Sequence, residues 1–177
     1  MAVYSTIRPD ASEPEGWQFL PGTGRFFNDF MPAKARKQRV DLETLVPHRD
    51  GMLLVSEIVS FDDGGAVTRA VVNARWPLTG PRGADPLVLI ELVAQTAAVN
   101  NGWEIIQRQG PERDHRGWIV GIKSARLLVD RIALGTTLTI ASRNQFAYEN
   151  FREIAGTVKI ENEVVAEVTL QLMQAEP

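Results

Sequence analysis

From Pro86 to Ala98 the chain is an apolar run whose strongly polar members are Glu91 and Gln95. These two lie four residues apart and share one face of a helix. Leu89, Ile90, Leu92, Val93, Ala94, Ala97 and Val99 cover the other faces. The spacing predicts one long helix from about Pro86, a good first-turn residue, to about Gln107. A helix apolar nearly all round is normally buried rather than laid on a surface. Downstream the period changes from helical to two. Val164, Ala166, Val168, Leu170 and Leu172 alternate with other positions, as in a half-buried strand. Strands are predicted over Trp118–Leu128, Thr137–Ala147, Phe151–Ile160 and Val164–Met173, with turns at Leu134-Gly135 and Glu161–Glu163. Upstream, Met52–Phe61 and Ala66–Asn73 read as a hairpin joined at residues 62–65. Asp41–Leu45 reads as one helical turn capped by Asp41. Pro77, Gly80, Pro81 and Gly83 make Arg75–Asp85 a loop, and Gln109–Gly117 is a polar loop. One buried helix among antiparallel strands gives a two-layer α+β fold, a sheet wrapped around a single helix.

Residues 1–38 read differently. Pro9, Pro14, Pro21 and Pro32, with Gly16, Gly22 and Gly24, forbid long regular structure. Trp17, Phe19, Phe26, Phe27, Phe30 and Met31 are too many large apolar groups for a solvated tail. An irregular arm packed onto the domain of residues 39–177, or onto a second subunit, reconciles the two. Lys34, Arg36, Lys37 and Arg39 form a short basic patch between arm and domain.

With 177 residues, 44% of them hydrophobic and 23% charged, the chain suits one soluble globular domain. A net charge of -3 and no recognisable motif argue against nucleic-acid binding. There is no cysteine, so disulfides, thiolate catalysis and cysteine metal sites are excluded. No run approaches the roughly 20 apolar residues of a membrane span, and the N-terminus lacks the order of a signal peptide. A cytoplasmic protein is expected. Two distant histidines, His48 and His115, fall short of a metal-ligand set. No phosphate loop or dinucleotide fingerprint precedes the helix, so no cofactor is expected.

Glu91 is the first candidate for chemistry. A carboxylate on a buried helix is costly unless it is paired, neutral or functional. It serves either proton transfer or a dimer seam, where a partner's backbone would hold it.

Three segments resemble the hot-dog fold, and in particular the bacterial 3-hydroxyacyl-acyl-carrier-protein dehydratases. Leu45-Val-Pro-His-Arg-Asp-Gly-Met-Leu-Leu-Val55 is similar to the family's opening Leu-Pro-His-Arg and aliphatic strand. Val88-Leu-Ile-Glu-Leu-Val-Ala-Gln95 is similar to its helix segment ending Glu-Ala-Met-Ala-Gln. Gly121–Arg126, Ile132–Leu138 and Gly156–Glu167 resemble its later strands in order and spacing. The family's Gly-His-Phe-Pro motif, which carries the catalytic base, is missing. Ala74-Arg-Trp-Pro77 stands there and puts Arg75 in the histidine's place. Arginine stays protonated and cannot act as a base near neutral pH. A subgroup of shorter relatives, associated with polyene-type lipid pathways, combines Pro-His-Arg with a Glu-Leu-x-Ala-Gln helix and lacks that motif; this sequence resembles it most.

The resemblance implies dehydration of a 3-hydroxyacyl thioester on acyl carrier protein, or of an acyl-CoA, by a homodimer. His48 would be the base and Glu91 the acid. The other role for His48 is an orienting ring bonded to backbone. Gln95 would bond the thioester carbonyl, a substrate hydroxyl or Glu91; otherwise it is a buried amide satisfied by a partner helix. A backbone N–H at the helix start, near Leu87 or Val88, would polarise the thioester carbonyl. Asn100 and Asn101 are expected to be partly exposed, Trp103 and Trp118 to line the core or tunnel, and His115 to be solvated. The competing functions are an acyl thioesterase, with Glu91 activating water, and a non-catalytic acyl-binding protein.

Overall fold

The computed structural model describes residues 40–62, 64–110 and 116–174. The expectations for the arm and for His115 fall outside them. The elements are α1 (Leu42–Leu45), β1 (Glu57–Phe61), β2 (Gly65–Val71), β3 (Thr79–Gly80), β4 (Gly83–Ala84), α2 (Val88–Gln109), β5 (Gly117–Leu127), β6 (Thr137–Tyr148), β7 (Phe151–Ile160) and β8 (Glu163–Gln174). Six strands form an antiparallel sheet in the order β1-β2-β6-β7-β8-β5. α2 lies across its inner face, as the apolar run requires. Leu89, Leu92, Val93 and Ala97 are fully buried against Leu138, Ile140, Ile154, Val158 and Leu170. The closest approach is at Gly156 of β7, where a Cβ would collide with the Val93 side chain. Inside this layer Thr96 donates to the Leu92 carbonyl at 2.7 Å, and Thr68 of β2 therefore donates to Thr96, also at 2.7 Å.

Three places differ from the sequence reading for an evident local reason. Residues 53–55 do not join the first strand. The N–H groups of Leu54 and Val55 bond the Gln95 side chain instead of a neighbouring strand, and β1 begins only at Glu57. α2 starts two residues later than expected, because Val88 N–H still bonds the Asp85 carbonyl in a turn that precedes the helix. The expected loop 75–85 contains a small hairpin, β3–β4, with Gly83 at φ 103° against Ile132.

Among the described residues β5 ends the sheet and pairs only with β8. Nearly all of its residues are exposed, among them Trp118, Val120 and Ile122 at 52–55%. No helix among the described residues is long and apolar enough to cross a membrane.

Candidate active site

The approach to the site is a clamped turn. Asp41 caps α1 through the Glu43 N–H at 3.2 Å, and Val46–Pro47–His48 follow in extended chain. Arg49 folds back over this segment. Its Nη1 donates to the carbonyls of Val46 and His48 and its Nη2 to that of Glu43, each at 2.7 Å. The turn rests on α2 at Gly102, where a Cβ would stand 2.6 Å from the Leu45 carbonyl oxygen. Only glycine allows α1 to sit that low, and that height sets where His48 reaches α2.

His48 Nε2 lies 3.1 Å from Glu91 Oε1, with side-chain exposures of 33% and 25%. The same oxygen accepts from Gln95 Nε2 at 2.8 Å. The Gln95 amide cannot be turned the other way. Its Oε1 accepts the backbone N–H groups of Leu54 and Val55 at 2.9 and 3.3 Å, while its Nε2 also donates to the Met52 carbonyl at 2.7 Å. Two backbone donors thus fix which end of the amide is the oxygen. Gln95 is completely buried, so it holds the Glu91 carboxyl in one position and ties it to the chain that follows His48. Of the roles open to Gln95 in the sequence, bonding to Glu91 is the one the structure displays. His48 Nδ1 is buried with no partner among the described residues.

A cavity of about 260 Å³ opens beside the pair. Glu91, Ala94, Ala98, Asn101 and Gly102 form one wall, a stripe along α2 at helical spacing. Pro47 and His48 form its edge, and Trp118, Ile119, Arg152, Leu172 and Met173 face it from the sheet. The arrangement offers a proton donor and a proton acceptor in contact at the side of a largely apolar pocket.

Other expectations are redirected. Leu87 and Val88 do not line the cavity, and Asp85 holds both of their N–H groups. Its Oδ1 accepts from Leu87 at 3.1 Å and its carbonyl from Val88 at 3.1 Å. Asn100 and Asn101, expected to be partly exposed, are 2% and 6% exposed. Asn144 of β6 covers that end of α2 and donates to Asn101 Oδ1 at 2.8 Å. Arg75 is exposed on a turn where its N–H bonds Asn73. Trp103 packs edge-on to Phe61, with centroids 5.5 Å apart. Trp118 lines the cavity while 55% exposed. Arg152 is the wall residue that sequence reasoning missed. Its only signal is a charge at an inward position of an otherwise alternating strand.

A family model described as ApeP-like, ApeP dehydratase, matches residues 40–177. Among solved structures, the dehydratase heterocomplex ApeI:P from Xenorhabdus doucetiae superimposes with a TM-score of 0.72 at 21% identity, covering 78% of this chain and 93% of that one. The E. coli PaaI protein from the phenylacetic acid degradation operon gives 0.51 at 17%, covering 68% and 79%. A hypothetical thioesterase with coenzyme A from Streptococcus pneumoniae also gives 0.51 at 17%, covering 67% and 84%. At such identities the likeness establishes the fold, an antiparallel hot-dog sheet around one long helix. No curated protein matches the chain by sequence.

Proposed function

Because the chain belongs to the ApeP-like dehydratase family, we propose that it removes water from a 3-hydroxyacyl thioester carried on acyl carrier protein, in a fatty-acid or polyene-type lipid pathway of the cytoplasm. The observation that carries this reading is the 3.1 Å contact between His48 and Glu91 at the edge of a largely apolar cavity. β-Elimination from a 3-hydroxyacyl thioester needs a base at C2 and an acid at the C3 hydroxyl. His48 takes the C2 proton. Glu91 gives its proton to the hydroxyl, which leaves as water while the C2–C3 double bond forms. The pair is then imidazolium and carboxylate, and the proton returns from Nε2 to Oε1 across the existing contact. Gln95, by donating to Oε1, stabilises the carboxylate in that intermediate state. No histidine at the position of Arg75 is required, which accounts for the missing Gly-His-Phe-Pro motif.

The domain of residues 39–177 acts in this reading as a homodimer joined at the β5 edge. Trp118, Val120 and Ile122 are exposed apolar residues on a strand that ends the sheet among the described residues, and such edges are ordinarily covered. Incubating the protein with 3-hydroxyacyl-pantetheine tests the reaction. Enoyl product is expected from the parent protein and not from Glu91→Gln or His48→Ala. Release of free acid and thiol without enoyl product would make it a thioesterase, and no reaction at all an acyl-binding protein.

A further inference from the structure

Arg152 has no role in the elimination, yet its position is unusual. It is 9% exposed on the inner side of β7 and lines the same cavity as the catalytic pair. Register places it in one row with Leu172 of β8 and Ile119 of β5, both wall residues. Nη1 donates to the Glu149 and Phe151 carbonyls at 2.9 and 3.2 Å. Nε is buried with no partner among the described residues, and no carboxylate there forms an ion pair with the guanidinium. Glu153, its neighbour on β7, is engaged by Lys123, and Glu91, which lines the same cavity, by His48 and Gln95. Burying a cation without an anion is unfavourable, and a guanidinium is a planar fork suited to oxygen anions.

The placement along the cavity is also defined. Asn144 pairs in register with Ile154 and donates to Asn101, so the start of β7 lies against the C-terminal half of α2. Glu91 and Asn101 are ten residues apart on α2, about 15 Å at 1.5 Å per residue. Asn101 Oδ1 is occupied by Asn144 and Asn100, which leaves its Nδ2 hydrogens to donate. Between the two polar ends the wall is Ala94, Ala98 and Leu172.

We propose that Arg152, with Asn101 beside it, forms a subsite for a negatively charged oxygen group of the substrate, three turns of α2 away from the His48–Glu91 pair. It deepens the dehydratase reading by giving the substrate a second anchor. The charged group belongs either to the far end of the acyl chain, as a carboxylate, or to the carrier arm, as its phosphate. The apolar wall favours the acyl chain, because a pantetheine arm would bring two amides to a surface with no partners for them.

The test is binding, measured by calorimetry with dodecanoyl-pantetheine, dodecanedioyl-pantetheine and dodecanoyl-4′-phosphopantetheine. None carries a 3-hydroxyl, so failure of dehydration and failure of this subsite are read separately. At least tenfold tighter binding of one anionic ligand over the neutral one is expected. Arg152→Gln should abolish that preference and Arg152→Lys retain part of it. Preference for the dioyl ligand places the anion on the acyl chain, and preference for the phosphorylated one places it on the arm. Equal affinity of the parent protein for all three, or an unchanged preference in either Arg152 variant, overturns the proposal. Arg152→Lys keeps the charge and provides the comparison should Arg152→Gln not fold.

Discussion

In the proposed reaction each polar group around Glu91 has a separable task, and substitutions distinguish them. Glu91→Gln keeps shape and hydrogen bonding but removes the titratable proton. It is expected to lower kcat/KM for dehydration by about two to four orders of magnitude, the scale of a positioned acid or base, with no change in melting temperature. His48→Ala should lose rate to the same extent, and the double variant should be no worse than the singles, since the two act as one unit. Gln95 differs because it is also structural. Gln95→Leu strands the N–H groups of Leu54 and Val55 and the Met52 carbonyl. Urea denaturation should show a loss on the order of 2–4 kcal/mol, from buried groups left without partners. Glu91 stood out in the sequence because it interrupts an apolar helix, and His48 because Pro47-His48-Arg49 resembles the opening motif of the dehydratases. Arg152 and Asn101 did not. Their meaning arises only when β6 and β7 close over the end of α2, a contact between residues far apart in sequence.

The elements themselves were legible wherever one periodicity dominated. α2 and the last three strands follow from the apolar run and the period-two alternation, and the observed ends lie within two residues of the expected ones. The reading failed at residues 53–55, where a side chain replaced a strand as hydrogen-bond partner, and no local pattern encodes that exchange. Packing between elements is tightest at Gly156, where an added Cβ meets Val93. Gly156→Ala should destabilise by roughly 1–3 kcal/mol, as overpacking does, and adding Val93→Ala should recover part of that loss in a denaturation cycle. At the sheet edge, Val120→Lys places a charge among the exposed apolar residues of β5. Light scattering is expected to give a dimer for the parent and a monomer for the variant; a parent monomer at micromolar concentration would remove the dimer from the proposal.

At the scale of the molecule, the fold does three things for the site. It buries a helix so that one face, Glu91 to Gly102, becomes a cavity wall. It lays the Pro47-His48 segment against that wall through the close contact at Gly102. It leaves the β5 edge beside Trp118 without a neighbouring strand among the described residues, where the proposed second subunit would join. Together these make a pocket with the His48–Glu91 contact on one side, where the proposed reaction places proton transfer, and the Arg152 cation in its sheet wall. The most direct measurement follows product formation from 3-hydroxydodecanoyl-pantetheine by mass spectrometry, with the parent protein and Glu91→Gln side by side and their melting temperatures matched. The expected result is loss of water to the 2-enoyl thioester by the parent and at least a hundredfold slower loss by the variant. Enoyl formation at equal rates by both, or hydrolysis of the thioester with no enoyl product, would contradict it.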